Sequence, residues 1–220
     1  MAVERPQLSD EVVAHLRDRI MSGELRPGER IRLEDVAEQL GVSITPVREA
    51  LLTLRGYDMV ELQPRRGYVV APLSRQDILD VFALQAHIAG DLAERIAERV
   101  TPGELAELTA THRALRRAAQ GKRPEIAELE RLEFEFHRAG NRVAGARKLS
   151  WLLHWATRYT PARFLATDPA WRSGMLTDHE ALLAALAGHD AQAARAAMAR
   201  HFTDGADRLV KHLDDLGIWA

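Results

Sequence analysis

Residues 41–51 read Gly41-Val-Ser-Ile-Thr-Pro-Val-Arg-Glu-Ala-Leu51, and the fold follows from where this stretch stops one helix and starts the next. Gly41 ends what precedes it, because glycine enters the left-handed conformation at a helix C-terminus without steric cost. Ser43 has a side chain suited to cap the following helix. Pro46 falls in the first turn, where its missing N–H costs no intrahelical bond. The spacing predicts a helix over about Ile44–Arg55, ended by Gly56. Upstream, Leu33, Val36, Ala37 and Leu40 share one face of a short helix. Before it, Val12, Leu16 and Ile20 recur at helical spacing over Leu8–Met21, Gly23 stops that helix, and Pro27-Gly28 marks a turn. Downstream, Val60-Glu61-Leu62 and Tyr68-Val69-Val70 are strand candidates. Between them Gln63-Pro64-Arg65-Arg66-Gly67 puts two positive charges at a hairpin tip.

A short helix, a Gly-centred turn and a second helix form a helix-turn-helix, and the hairpin reads as its wing. The third helix has the width of a DNA major groove, and a charged hairpin tip can touch the adjacent backbone or minor groove. Bulk charge does not supply that attraction. The 220 residues carry 30 Lys+Arg against 32 Asp+Glu, a net charge of -2. Residues 1–72 hold 10 Arg and no Lys against 12 acidic residues. DNA binding therefore requires a local arrangement of arginines. Arg32 and Arg55 are candidates for phosphate contacts. The absence of cysteine excludes disulfides and thiolate metal sites. The start, MAVERPQLSD, lacks a basic stretch followed by an apolar one, and no run approaches the ~18 apolar residues of a membrane span. A cytoplasmic protein without membrane attachment is the expectation.

Beyond the linker Ala71-Pro72-Leu73, the chain is almost entirely helical pattern, rich in Ala, Leu, Arg and Glu. Helix starts are expected at Ser74-Arg-Gln-Asp77, at Thr101-Pro102-Gly103-Glu104, at Pro124 and at Thr177-Asp-His-Glu180. Gly188-His189-Asp190 separates two helices so closely that they must be antiparallel. Six or seven helices are expected. The fold class is mainly α: a winged helix-turn-helix over 1–72 and an all-α helical bundle over 73–220.

The chain has nine histidines, and three of them, together with one glutamate, stand apart by spacing. Glu133 and His137 are i and i+4 on one helix and share a face. His179, placed in the first turn of the penultimate helix, and His201 on the last helix lie at similar distances either side of the turn at Gly188-His189, which brings them to similar heights. Three imidazoles and one carboxylate suit Zn, Ni, Fe or Mn and leave coordination positions open. A small organic acid at those positions, helped by Arg158 or Arg163, is the expected ligand. His15, His87, His112, His189 and His212 read as structural or surface residues. His154 lies in a stripe with Trp151, Trp155 and Arg158 that is either core or pocket wall. No His-Glu-x-x-His, nucleophile elbow or Gly-rich phosphate loop is present, so an enzyme is not expected.

The string Val42-Ser-Ile-Thr-Pro-Val-Arg-Glu-Ala-Leu51, with Gly23-x3-Pro27-Gly28 before it and Arg66-Gly67 after it, resembles the GntR family of bacterial transcription regulators. The helical remainder resembles the FCD ligand-binding domain of the FadR-like subgroup. The resemblance implies a homodimer on a palindromic double-stranded operator, with DNA affinity controlled by a small carboxylate metabolite. It places Ser43, Thr45 and Arg48 at DNA contacts from the recognition helix, and Arg65, Arg66 and Gly67 at the wing tip. Many FCD domains hold a divalent metal through Asp-x3-His and two later histidines. Glu133, His137, His179 and His201 match those positions, with Glu in place of Asp. Ile44 stands where the family usually has Arg, and isoleucine can touch a thymine methyl but cannot donate to guanine, so the family's usual operator sequence does not carry over. Gln85 stands where the family often has Arg, which implies a different effector or anchoring group. A repressor relieved by ligand is the expected mode. The alternative is a metal-sensing repressor whose effector is the ion itself.

Overall fold

A computed structural model describes residues 8–121 and 124–219. The chain forms two compact units: one runs to Arg75 and takes in the residues from His212 on, the other spans Gln76–Lys211.

In the first unit the order is α1 (Leu8–Met21), β1 (Arg30–Ile31), α2 (Leu33–Leu40), α3 (Ile44–Gly56), β2 (Val60–Gln63) and β3 (Gly67–Val70). Gly41 adopts φ 66° and its N–H bonds back to the last turn of α2, as the stop signal requires. Ser43 holds the N-cap position with extended backbone but makes no side-chain cap bond. The inward face of α3 is Pro46, Val47, Ala50, Leu51 and Leu54, all buried, and the helix packs on α1, where Leu16 and Ile20 are buried too. The three strands are antiparallel in the order β1-β3-β2, with Arg30 opposite Val69 and Leu62 opposite Tyr68. Strand β1 was not anticipated. It has two residues and exists through pairing, with the Val70 N–H donating to Glu29 O and the Gly28 N–H to Val70 O.

The C-terminal residues belong to this unit rather than to the bundle. Leu213 and Ile218 are buried against Gly23, whose φ of +79° and missing Cβ allow the approach. His212 Nε2 lies 3.1 Å from Ser22 O, and Arg26 donates to Leu216 O.

The second unit contains α4 (Arg75–Arg99), α5 (Pro102–Ala119), α6 (Ile126–Val143), α7 (Arg147–Ala156), a 3-10 turn over Thr157–Tyr159, α8 (Ala162–Thr167), α9 (Pro169–Ala187) and most of α10 (Ala191–Asp215). Thr101 and Glu104 form the reciprocal cap expected of them. Two expected starts move. Helix α6 begins at Ile126 behind Glu125, not at Pro124. Helix α9 begins at Pro169 behind Asp168, whose side chain accepts the Ala170 N–H. Thr177–Glu180 therefore lies inside α9, and the Thr177 hydroxyl donates to Ser173 O, a bond within the helix rather than a cap. The core has two parts. One joins α4, α6, α9 and α10 around Leu92, Phe136 and Leu186; the other joins α5, α6, α8 and α9 around Leu115, Leu129 and Trp171.

Candidate metal centre and nucleic-acid interface

The outward face of α3 carries Thr45, Arg48, Glu49, Leu52 and Arg55, all exposed, and Ser43 and Ile44 are exposed at its start. This is the complement of the buried stripe, fixed by the 3.6-residue period. Two large apolar side chains, Ile44 and Leu52, face outward here, a pattern suited to thymine methyls. Arg32 is exposed at the N-cap of α2. At the hairpin tip the Arg66 N–H donates to Gln63 O, closing a turn whose third residue, Arg65, has φ +63°. Such a turn favours glycine, so Arg65 holds a strained conformation to keep a cation at the tip. Gly67 follows at φ +77°. The Arg66 guanidinium is tied back to Gln63 Oε1 and Gly28 O, which steadies the tip.

In the helical unit, Glu133 and His137 on α6 meet His179 on α9 and His201 on α10. One ligand atom from each lies within 4.8 Å of all the others. Glu133 Oε1 is at the centre, 3.1 Å from His137 Nε2, 3.4 Å from His201 Nε2 and 3.6 Å from His179 Nε2. His179 is fully buried and His201 nearly so. Phe136 stacks on the His179 ring at 4.1 Å. An ion bonded at ~2.1 Å separates its ligands by at most ~4.2 Å, so a closure of a few tenths of an ångström completes the shell. The polar bookkeeping favours an ion as well. Glu133 Oε2, both ring nitrogens of His179 and Nδ1 of His201 are buried without hydrogen-bond partners. Buried polar atoms are rarely left so unless something else satisfies them.

The electrostatics hold these groups in the protonation state a metal requires. Burial alone would push the Glu133 carboxyl up. The surrounding His179, His137 and His201 imidazoles, with a hydrogen bond from His137, instead hold it well below the carboxylate range. Burial drives His179 well below the usual imidazole value, and takes His201 down to about 4 against the pull of Glu133. At neutral pH the Glu133 carboxylate is charged and His179 and His201 are neutral.

Beside His137 is an apolar cavity of about 20 Å³, room for about one water, walled by Ala93, Leu153, Leu182, Leu186 and Met198, with Asn141 also in its lining. The proposed anchoring residues are not on its wall. Arg163 is exposed on α8, Arg158 is half-buried in the 3-10 turn, and His154 is exposed on α7 with its ring 6.4 Å from Phe134. Leu153 and Ala156 of α7 are buried, and Leu149 packs partly buried against the same core. Trp151, Leu152 and Trp155 face out, as does Phe134 on α6. Gln85 is fully buried and spends its amide on Ala156 O and the Thr160 hydroxyl, so it braces α4 against α7.

Two buried polar residues escaped the sequence reading. Asp178, next to His179, receives the Arg200 guanidinium at 2.6 Å. His112 on α5, set aside as structural or surface, is 4% exposed with its ring 5.8 Å from that of His179. Its i,i+4 spacing to Arg116 was legible, but nothing local showed that both face α9.

Comparison with known proteins agrees with these two units. Residues 8–70 match the family of bacterial regulatory proteins called gntR, and residues 80–204 match the FCD domain. The Uxu operon transcriptional regulator of Escherichia coli K12 is 31% identical, over 98% of this chain and 91% of its own. The regulator McbR of the same strain is 28% identical, over 87% of this chain and 88% of its own. The solved structure of E. coli McbR/YncC superposes with a TM-score of 0.71 at 26% identity, covering 94% of this chain and 99% of that one.

Proposed function

This chain belongs to the gntR family of bacterial regulatory proteins and carries an FCD domain, and from that premise we propose that it is a repressor released by a small carboxylate metabolite bound at a divalent metal. That it is a DNA-binding transcriptional regulator and not an enzyme follows from the family itself. The metal and effector reading rests on one observation: four ligand atoms from three helices within 4.8 Å, with partnerless nitrogens and a carboxylate oxygen buried among them. Glu133, His137, His179 and His201 would hold the ion. When bound, it supplies a positive centre with open positions for a carboxylate. Zn, Ni, Fe and Mn all suit the donor set.

The adjoining cavity holds about one water. A multi-carbon acid needs more room, so its binding displaces the helices that wall the cavity, α7, α9 and α10 among them. Arg158, Arg163 and His154 meet such a ligand only if that displacement brings them inward. The helix that supplies His201 continues without a break to Leu213, which packs on Gly23 in the DNA-binding unit. The ligand can alter DNA affinity only by its differential affinity for the two arrangements, and a coupling of ~1–3 kcal/mol corresponds to about 5- to 150-fold.

On DNA, Ser43, Thr45 and Arg48 face the major groove, with Arg32, Arg65, Arg66 and Gly67 at the flanking backbone. Two copies pair on a palindromic operator. The outward aromatic side chains of α7 and Phe134 form a surface of the kind that a second copy covers. The test selects binding sequences from random duplexes, then measures affinity for the best one with metal-stripped, Zn-loaded and acid-supplemented protein. Release by a carboxylate only when Zn is present is the expected result. Release by Zn alone favours the metal-sensing alternative. Equal acid binding after stripping rejects a metal-bridged effector.

A further inference from the structure

His112 is the one buried histidine of the helical unit outside the metal tetrad whose ring nitrogens both lack partners among the described residues. A neutral imidazole carries one N–H and one lone pair and needs a partner for each. The His112 side chain is 4% exposed. Its Nε2 lies 3.7 Å from Glu180 Oε1, a carboxylate also approached by Arg116 at 3.4 Å. A closure of half an ångström gives Nε2–H an acceptor and leaves the Nδ1 lone pair unused.

The complementary need sits on the neighbouring ring. His179 turns Nε2 to Glu133 and the candidate ion, so its neutral tautomer carries the proton on Nδ1. That Nδ1 is buried without a partner. The rings packed around His179 are Phe136, which offers no lone pair, His137 and His201, which face the ion, and His112, which meets it edge-on. We propose that His112 is the positioning residue of the metal centre, accepting the His179 Nδ1–H directly or through one water while Glu180 orients His112 from outside. The chain Glu180–His112–His179 fixes the tautomer and ring plane of one ligand and raises its donor strength. This is the usual office of groups behind a metal-bound histidine.

The inference rests on the metal reading above, and its test separates the two. Co²⁺ and Zn²⁺ affinities are measured by chelator competition for the wild type, His112→Phe, His112→Gln, Glu180→Gln and His201→Ala, with cobalt absorption spectra for each. His112→Phe should bind about 10- to 100-fold more weakly, with shifted cobalt bands. His112→Gln, whose amide oxygen can accept, should recover most of the loss. Glu180→Gln, on a half-exposed side chain, should lose affinity in the same direction. Unchanged affinity and spectra in both His112→Phe and Glu180→Gln would overturn the proposal. So would a His112→Phe loss equal to that of His201→Ala, which would make His112 a ligand. Failure of the wild type to bind either ion would remove the metal reading itself, and this inference with it.

Discussion

Acidification should unfold the metal-free helical unit, and His201 sets the scale. The perturbation is a fall in pH from 7.5 to 5 in the presence of EDTA. In the unfolded chain His201 takes up a proton near 6.5; in the folded unit burial delays that to about 4. Between the two values the unfolded state binds more protons, so stability is fully present above about 6.5 and falls as pH drops. At 1.36 kcal/mol per unit, the gap from 6.5 to about 4 amounts to about 3 kcal/mol, of which about 2 kcal/mol is lost by pH 5. His179, shifted in the same direction by its burial, adds to the slope. Glu133 acts lower down, since its lowered pKa contributes stability that is lost only as pH drops below about 4.5. Histidines that titrate alike in both states cancel. The assay is urea unfolding followed by tryptophan fluorescence, since three of the four tryptophans, Trp151, Trp155 and Trp171, lie in this unit. His201→Gln removes one titrating group and should flatten the curve by about 1 kcal/mol per pH unit between pH 6.5 and 5. Parallel pH profiles for wild type and variant would refute the reasoning.

Saturating Zn should raise the stability of the same unit by about 2.7 kcal/mol at a hundredfold excess over Kd, and the gain should shrink as protons compete below pH 6.5; a Tm unaffected by metal at pH 7.5 would contradict the site. Arg65→Gly should relieve the turn and stabilise the DNA-binding unit by about 1 kcal/mol while weakening operator binding. Loss of neither strain nor affinity, measured by melting and fluorescence anisotropy, would count against the wing assignment. Arg48→Ala should weaken binding to all sequences and lower the salt slope by about one; an unchanged slope would show that it touches no phosphate. Gly23→Ala places a Cβ 2.8 Å from Leu213 Cδ2 at a positive φ, so it should cost about 1–3 kcal/mol in the melting of the DNA-binding unit; an unshifted Tm would mean the C-terminal segment is not seated there. Trp151→Glu should turn a dimer into a monomer by sedimentation without loss of helix content, and an intact dimer would exclude the α7 face.

The sequence is informative wherever a local signal needs no partner. Gly41, Pro46 and Gly56 bound α3 because helix ends are written in the residues that cap or break them, and the Thr101–Glu104 box is reciprocal within four residues. The same logic misplaced the start of α9. Thr177-Asp-His-Glu180 has the composition of a cap, but Asp168-Pro169 starts the helix earlier and the later string simply continues it. The resemblance to a known family carried the function, which neither composition nor charge would have supplied.

The meeting of Glu133, His137, His179 and His201 was legible because i,i+4 spacing and a tight hairpin constrain distance arithmetically. His112 was not, because its importance comes from α5 packing against α9, a contact between residues 67 positions apart that no periodicity encodes. Strand β1, the return of Leu213 and Ile218 to Gly23 and the outward turn of Trp151 and Trp155 are of the same kind. By itself the sequence determined the mainly helical fold class, most of the elements and the spacing of the Glu133, His137, His179 and His201 group, since these depend on backbone preferences and short-range geometry. Only the tertiary structure decided which buried polar atoms are left without partners and which apolar faces stay open, because both depend on what the rest of the chain brings alongside.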